Sequence, residues 1–240
     1  MDLSWLFDRP FAHRGLHKAA EGRIENSPAA FAAAIAHGLG IELDVQLTAD
    51  GNAVVFHDDD LTRLAGRPEL VADLTLADLE AIPLTGSEDK IPGLAQVLRA
   101  IHGRAPLLIE IKSKPKDTGP LERAVADLLV DYHGHVAVMS FNPLAVSWYR
   151  DNRPHIVCGL VASTRYRKEL GWRLSNSAGQ RRTVEETAPD FVAYDIRSLP
   201  NDFTRACRAS NIPLLTWTVR TPADHMKAAM HTDNIIFEEP

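Results

Sequence analysis

The sequence predicts an α/β fold, a (β/α)8 barrel of the TIM type with one extra hairpin strand. Three observations carry this. Short apolar runs alternate with helical patterns along the whole chain, the signature of βα units around a parallel sheet. The chain has 240 residues, the usual size of one such barrel, and no Gly/Ser/Pro-rich stretch divides it, so residues 1–240 are read as one domain. Acids and histidines recur at the ends of the apolar runs, where a barrel gathers its functional side chains.

In chain order, Phe11–His13 is expected as a first short strand. Ser27 at the N-cap and Pro28 at the first helical position open a helix through Ala36, which Gly38 and Gly40 end. Ile41–Val45 is the second strand. Ala53–Phe56 is also strand-like, and Ala49-Asp50-Gly51-Asn52 between them has strong turn chemistry. These two runs therefore form a hairpin, in whose simplest register His57 faces Glu42. Thr75–Ala81 and Gly93–His102 read as helices, Leu107–Lys112 as the next parallel strand, and Leu121–Tyr132 as a helix with an apolar stripe. Val136–Ser140, Ile156–Val161, Phe191–Tyr194, Pro213–Val219 and Asn234–Phe237 complete the parallel set. Helices over Pro143–Asp151, about Pro200–Ala209 and Pro222–Met230 fill most gaps. The segment Ser163 to Thr187 is long for a βα loop and basic, with Arg165, Arg167, Lys168, Arg173, Arg181 and Arg182 around Tyr166 and Trp172. It is either a lid over an anionic ligand or a solvated helical excursion.

Hydrophobic content of 45% and charged content of 24% are ordinary for a soluble globular protein. A net charge of −6 without a long basic run argues against nucleic acid as a main partner. Cys158 and Cys207 make no disulfide framework and read as two reduced, buried thiols of a cytosolic protein. The first eight residues lack the basic start and apolar stretch of a signal peptide, and no run of eighteen apolar residues occurs. A cytoplasmic protein without stable membrane insertion is expected.

The chemistry sits in four groups: His13-Arg14-Gly15, Glu42-Leu43-Asp44, His57-Asp58 and Glu110-Ile111-Lys112. Glu42 and Asp44 are two apart on a strand, so they share a face. Neighbouring acids repel unless a cation lies between them. Glu110 and Lys112 repeat the spacing on the next barrel strand. A structural ion pair with Arg14 or Lys112 is the alternative role for these acids. An all-oxygen set suits Mg²⁺ or Ca²⁺ over zinc. His13 and His57 can move protons near neutral pH, and Arg14 and Lys112 suit a phosphate. Cleaving a phosphodiester P–O bond requires deprotonating a nucleophile, protonating the leaving alkoxide and offsetting charge on the phosphoryl oxygens. The groups present match those needs, so metal-assisted phosphodiester cleavage is the expected chemistry. His17, His37, His102, His133, His135, His155, His225 and His231 read as packed or surface residues.

The ordered pieces His13-Arg14-Gly15, Glu25-Asn26-Ser27, Ala30-Phe31, Gly40-Ile41-Glu42-Leu43-Asp44-Val45, Thr48-Ala49-Asp50-Gly51, Val54-Val55-Phe56-His57-Asp58 and Leu61-Thr62-Arg63 resemble the glycerophosphodiester phosphodiesterase family. Ile91-Pro92, Glu110-Ile111-Lys112, Ser140-Phe141 and Trp217-Thr218-Val219 extend the resemblance over nearly the whole chain. It implies a TIM barrel of the PLC-like phosphodiesterase type, a divalent cation (Mg²⁺ or Ca²⁺), and hydrolysis of small-molecule glycerophosphodiesters to sn-glycerol 3-phosphate and an alcohol. By the same resemblance His13 and His57 are the catalytic acid and base, and Glu42, Asp44 and Glu110 the metal ligands. Arg14 and Lys112 grip the phosphate, Asn26 helps position phosphate or metal, and Trp217 walls the glycerol or leaving-group side. Plain barrel filling is the other reading of Trp217. The expected route is attack by the glycerol 2-hydroxyl through a cyclic phosphate that water then opens, and direct attack by water is also compatible with these residues.

Two departures stand out. Arg220 stands where the family usually has Asn after Trp-Thr-Val, and Glu238 replaces the Asp of the usual closing Gly-Ile-Thr-Asp-x-Pro. Both are expected to bear on the substrate end of the site, not on its catalytic set. The rival readings are a lysophospholipase D or sphingomyelinase D-like lipid phosphodiesterase, a non-catalytic phosphodiester-binding protein, and an unrelated barrel enzyme such as a metal-dependent aldolase. A homo-oligomer is compatible with all of them.

Overall fold

A computed structural model describes residues 2–165 and 174–239. The elements in order are β1 (Phe11–Ala12), α1 (Pro28–Ala36), β2 (Gly40–Leu47), β3 (Ala53–Val55), α2 (Thr62–Ala65), α3 (Leu76–Ala81), α4 (Leu94–Ile101) and β4 (Leu107–Ile111). There follow α5 (Pro120–Leu129), β5 (Val136–Ser140), α6 (Pro143–Asn152), β6 (Val157–Ala162), α7 (Ser177–Thr187) and β7 (Phe191–Asp195). The last are α8 (Asp202–Ala209), β8 (Leu214–Val219), α9 (Pro222–His231) and β9 (Asn234–Phe237). Strands β1, β2, β4, β5, β6, β7, β8 and β9 pair in parallel, and β9 returns to β1 to close the barrel. Strand β3 lies antiparallel on β2, the extra hairpin strand that the sequence predicts.

The hairpin register corrects one expectation. Val45 pairs with Val55, Gln46 with Val54 and Leu47 with Ala53. The turn is pinned by the Thr48 N–H donating to Asn52 O at 2.9 Å, and Gly51 takes a left-handed φ of +79°. Continued past Phe56, whose N–H donates to Asp44 O at 3.1 Å, this register sets His57 across from Leu43, one residue from Glu42. The ladder ends there, and His57 reaches the barrel mouth from the loop.

Side chains alternate across each barrel strand. On β2 and β4 the outward set Ile41, Leu43, Val45, Leu107, Ile109 and Ile111 packs in the layer beneath the helices. The inward set begins apolar: Leu108 joins Phe11, Phe191, Leu215 and Ile236 in a plug that Trp5 and Leu6 complete. Burying each large apolar side chain stabilises the fold by roughly 1.5–3 kcal/mol. Gly40 leaves room for this plug, because a Cβ there would lie 2.5 Å from the Phe11 ring. One layer up, the same face turns polar with Glu42, Asp44 and Glu110, so the barrel has an apolar floor and a charged mouth.

Helix α1 starts as expected, with Ser27 Oγ accepting from the Ala30 N–H at 3.2 Å. Helix α7 has no apolar stripe, since its buried residues are Gln180, Thr183 and Thr187. Hydrogen bonds hold it instead: the Tyr194 hydroxyl donates to Gln180 Oε1 at 3.0 Å. Arg181 and Arg182 lie exposed on this helix, with Arg182 paired to Glu186 at 2.9 Å. That part of the basic segment is a solvated helix, whereas Tyr166, Arg167, Lys168, Trp172 and Arg173 lie outside the described residues. Cys158 and Cys207 are buried and free. No helix among the described residues is long and apolar enough to cross a membrane.

Candidate active site

A cleft of about 790 Å³ opens at the C-terminal end of the barrel strands. His13, Arg14, Glu42, His57, Glu110, Lys112 and Trp217 all line it. The turn after β1 sets the first two. The His13 N–H continues the ladder by donating to Phe237 O at 2.9 Å. Arg14 then takes a left-handed φ of +56°, uncommon for a residue with a Cβ. Gly15 follows at +78°, and a Cβ there would lie 2.9 Å from that of Ala30. The result is a tight turn against the start of α1. In it the Arg14 N–H donates to Glu42 Oε2 at 2.9 Å, and the Gly15 N–H to Glu42 O at 3.1 Å.

The carboxylates are set by strand register. Asp44 on β2 lies directly beside Glu110 on β4. One oxygen each from Glu42, Asp44 and Glu110 falls within 4.8 Å of the others. Glu42 and Asp44 are each 1% exposed. Burial, then Asp44 and Glu110 beside it, push Glu42 well above the usual carboxylate range. Burial acts on Asp44 too, yet Lys112, Arg14 and the two histidines hold it well below that range. The difference follows from the cations: Lys112 Nζ stands 3.6 Å from Asp44 Oδ1 and 3.3 Å from Glu110 Oε1. Arg14 Nε lies 3.4 Å from Asp44 Oδ2. Burial opposes the charge on both cations, and the surrounding acids more than offset it, so both lie above their ordinary values.

Asn26 stands slightly apart from its expected place. It is 1% exposed and does not line the cleft. Its Nδ2 donates to Asp44 Oδ2 at 2.9 Å, and its Oδ1 accepts from the Asp44 N–H at 3.2 Å. Asn26 thus orients a carboxylate from behind and has no direct approach to a phosphate in the cleft.

Both histidines are held from behind through Nδ1. His57 Nδ1 lies 2.8 Å from Asp58 Oδ1, and Asp58 Oδ2 accepts from Arg63 Nε at 2.6 Å. Arg63 also forks onto Glu25 at 2.8 and 2.7 Å, and Glu25 accepts from Arg14 Nη1 at 2.6 Å. His13 Nδ1 lies 2.6 Å from Glu238 Oε1, and His13 Nε2 is 3.9 Å from Glu42 Oε2. Ionised carboxylates only accept, so Nδ1 carries the hydrogen in both pairs. Despite partial burial, Arg63 and His57 hold Asp58 below the usual carboxylate range, while Arg63 and Arg14 do the same for Glu25.

Glu238 and Arg220 depart from expectation. Arg220 forks onto both Glu238 oxygens at 2.7 and 2.8 Å. The two unusual residues therefore pair with each other and bear on His13, not on the substrate end alone. Glu25, Asp58 and Arg63 stand in the sequence motifs, but the sequence alone assigns them no role. Adjacency of Asp58 to His57 was the available signal. The pairing of Arg63 with Glu25 joins residues 38 apart and needs the fold. Trp217 lines the cleft beside Phe141, their rings edge to face at 5.5 Å, with its Nε1 donating to Ala193 O at 3.1 Å.

The chain is similar to known proteins over nearly its whole length. The family model described as the glycerophosphoryl diester phosphodiesterase family matches residues 13–240. The Bacillus subtilis protein YhdW is 30% identical over 95% of this chain and 93% of its own length. A glycerophosphodiester phosphodiesterase of Caldanaerobacter subterraneus subsp. tengcongensis is 29% identical, again over 95% and 93% of the two chains. Among solved structures, a phosphodiesterase of Oleispira antarctica in complex with the product sn-glycerol-3-phosphate superposes with a TM-score of 0.83 at 22% identity, over 97% of this chain and 93% of that one. A glycerophosphodiester phosphodiesterase of Thermotoga maritima gives 0.76 at 24% identity, over 95% and 94%. These likenesses speak for the shared barrel. With the family's pattern running from His13 to the C-terminus, the chain belongs to the glycerophosphoryl diester phosphodiesterase family.

Proposed function

We propose that this protein hydrolyses glycerophosphodiesters to sn-glycerol 3-phosphate and an alcohol, with a divalent cation on Glu42, Asp44 and Glu110 and proton transfer by His13 and His57. The observation that carries this reading is the joint placement of two histidines anchored through Nδ1 and of Glu42 and Glu110 in one cleft, with Asp44 clustered against those two acids. The Oleispira antarctica relative, solved with sn-glycerol-3-phosphate, supports the product assignment.

The donor set fits a hard cation: one oxygen per acid, no sulfur or nitrogen, and a buried Glu42 whose charge Arg14 offsets only in part. When bound, the cation supplies positive charge against the phosphoryl oxygens. Lys112 and Arg14 supply the rest. Arg14 Nε is buried with no hydrogen-bond partner among the described residues, which suits an incoming anionic oxygen. Asn26 acts through Asp44, whose carboxylate it orients. With Nδ1 engaged, each histidine keeps Nε2 for substrate. One histidine takes the proton of the glycerol 2-hydroxyl as its oxygen bonds to phosphorus. The other gives its proton to the alkoxide as the P–O bond to the alcohol breaks. Water then opens the cyclic phosphate with these roles reversed, which restores both protonation states. Trp217, its indole nitrogen tied to the barrel wall, forms an apolar side of the cleft with Phe141.

Pro143 and Leu174 also line the cleft beside Phe141 and Trp217. That apolar lining favours, as a second reading, action on lysophospholipids. One assay separates the two: glycerol 3-phosphate release from glycerophosphocholine and glycerophosphoethanolamine, in Mg²⁺, Ca²⁺ or EDTA, beside choline release from lysophosphatidylcholine. Cation-dependent glycerol 3-phosphate release is expected. Turnover of the lysophospholipid alone would move the assignment to the lipid enzyme, and turnover of neither would overturn both.

A further inference from the structure

We propose that Arg220 and Glu238 act as one positioning unit for His13, Glu238 accepting the Nδ1–H and Arg220 holding Glu238 in place, so that Nε2 is the nitrogen offered to substrate. This rests on the reading above that His13 transfers a proton. It adds two residues and a division of labour to that reading.

The placement comes from the barrel itself. Ala12 pairs with Phe237, and Phe237 pairs with Val219. His13, Glu238 and Arg220 are the next residues on β1, β9 and β8, so three adjacent strand ends put them in one row. The row depends on an irregularity in β8. Thr216 pairs with Ile235 but Val219 with Phe237, so β8 carries one more residue than β9 over that interval. Had the Thr216–Ile235 register continued unbroken, Val219 would face Glu238 and Arg220 would pass beyond it. Such a bulge re-aims the side chain that follows.

Backbone bonds fix both members. The Glu238 N–H donates to Val219 O at 3.0 Å, and the Arg220 N–H donates to Asp224 Oδ2 at 3.3 Å, the carboxylate that also caps α9. Between these anchors the guanidinium meets the carboxylate through two nitrogens, at 2.7 and 2.8 Å. A planar fork on a planar carboxylate fixes orientation as well as distance. Oε1, the oxygen on His13, is one of the two that Arg220 holds. The arrangement repeats that on the other histidine, where Arg63 holds Asp58 and Asp58 holds His57 Nδ1. Two Arg–carboxylate–His sets of the same order, built from unrelated segments of the chain, point to one requirement met twice. A freely solvated imidazole favours the other neutral tautomer, so a fixed acceptor at Nδ1 has a chemical consequence and not only a packing one.

The test is imidazole ¹⁵N NMR of the Mg²⁺-loaded protein, with His13 assigned by its loss in His13→Ala, in wild type, Glu238→Ala and Arg220→Ala. With the ring neutral, wild-type His13 should carry its hydrogen on Nδ1, and Glu238→Ala should move it to Nε2. Kinetics on glycerophosphocholine should show kcat falling by up to about 10⁴-fold in Glu238→Ala at nearly constant KM, as for a histidine in the wrong tautomer. Arg220→Ala should lower kcat by roughly fivefold, the scale of one partly exposed ion pair, and Arg220→Lys should recover part of it. An unchanged His13 tautomer in Glu238→Ala would overturn the proposal, as would an Arg220→Ala that raises KM and leaves kcat intact, which makes Arg220 a substrate contact. If Glu238→Ala does not fold, Arg220→Ala alone still decides through the same NMR signal. Absence of any turnover in wild type would refute the assigned reaction, while the tautomer would still report on the positioning.

Discussion

Replacing Glu42 with Gln should stabilise the cation-free protein and abolish the stability that a divalent cation adds. Glu42 is 1% exposed, and oxygens of Asp44 and Glu110 lie within 4.8 Å of its own. Burial and those two acids push it well above its ordinary value of 4.5. An acid shifted upward by folding favours the fold only while protonated. Its contribution is complete below the unfolded value and is lost as pH rises through the folded one. Above that window an ionised Glu42 opposes folding. Two like charges 4.8 Å apart repel by about 3.5 kcal/mol at an effective dielectric constant of about 20. Arg14 offsets part of this, and a Gln oxygen can keep the 2.9 Å bond from the Arg14 N–H. A net gain of about 1–3 kcal/mol remains, or roughly 2–10 °C in Tm for a chain of this size. Thermal unfolding followed by circular dichroism in EDTA measures it. Titration with Mg²⁺ should then raise the Tm of wild type but not of Glu42→Gln. A variant less stable than wild type in EDTA, or one that gains as much from Mg²⁺, would refute the reasoning.

Three further expectations follow from the same geometry. Gly15→Ala places a Cβ 2.9 Å from that of Ala30 at a φ of +78°, so it should cost about 2–4 kcal/mol in urea unfolding and lower activity by displacing His13 and Arg14. Asn26→Gly keeps the left-handed backbone but removes both bonds to Asp44; Mg²⁺ affinity measured by calorimetry should fall about 10- to 100-fold. Glu25, Asp44, Asp58 and Glu238 are all held below their ordinary values, so their stability is present above the unfolded carboxylate range and is lost as pH falls through the folded values. Urea denaturation across the acid range should show this loss, with a shallower slope in Glu238→Gln.

The barrel was legible because each strand is a short apolar run bounded by turn chemistry, and because period-two spacing sends Glu42, Asp44, Glu110 and Lys112 to one face. Helix α7 was not, since Gln180, Thr183 and Thr187 face inward and leave no apolar stripe. The hairpin was legible, but its register slipped by one residue: Thr48 and Asn52 close a turn whose centre the sequence locates only approximately. In the site, the cluster of acids, histidines and cations was readable from strand ends alone. Its support was not. Asn26 reads as a possible phosphate contact until its burial behind Asp44 is seen. Glu238 and Arg220 read as changes at the substrate end because only barrel closure brings residue 238 to residue 13, and only the extra residue in β8 brings Arg220 into their row.

The most direct test of the account is a ³¹P NMR time course on glycerophosphocholine with wild type and His57→Ala, each in Mg²⁺ and in EDTA. With wild type in Mg²⁺ the diester signal should convert to that of sn-glycerol 3-phosphate; conversion should stop in EDTA and slow by about 10²- to 10⁴-fold in His57→Ala. Persistence of the diester with wild type in Mg²⁺, or undiminished conversion by His57→Ala, would contradict the account.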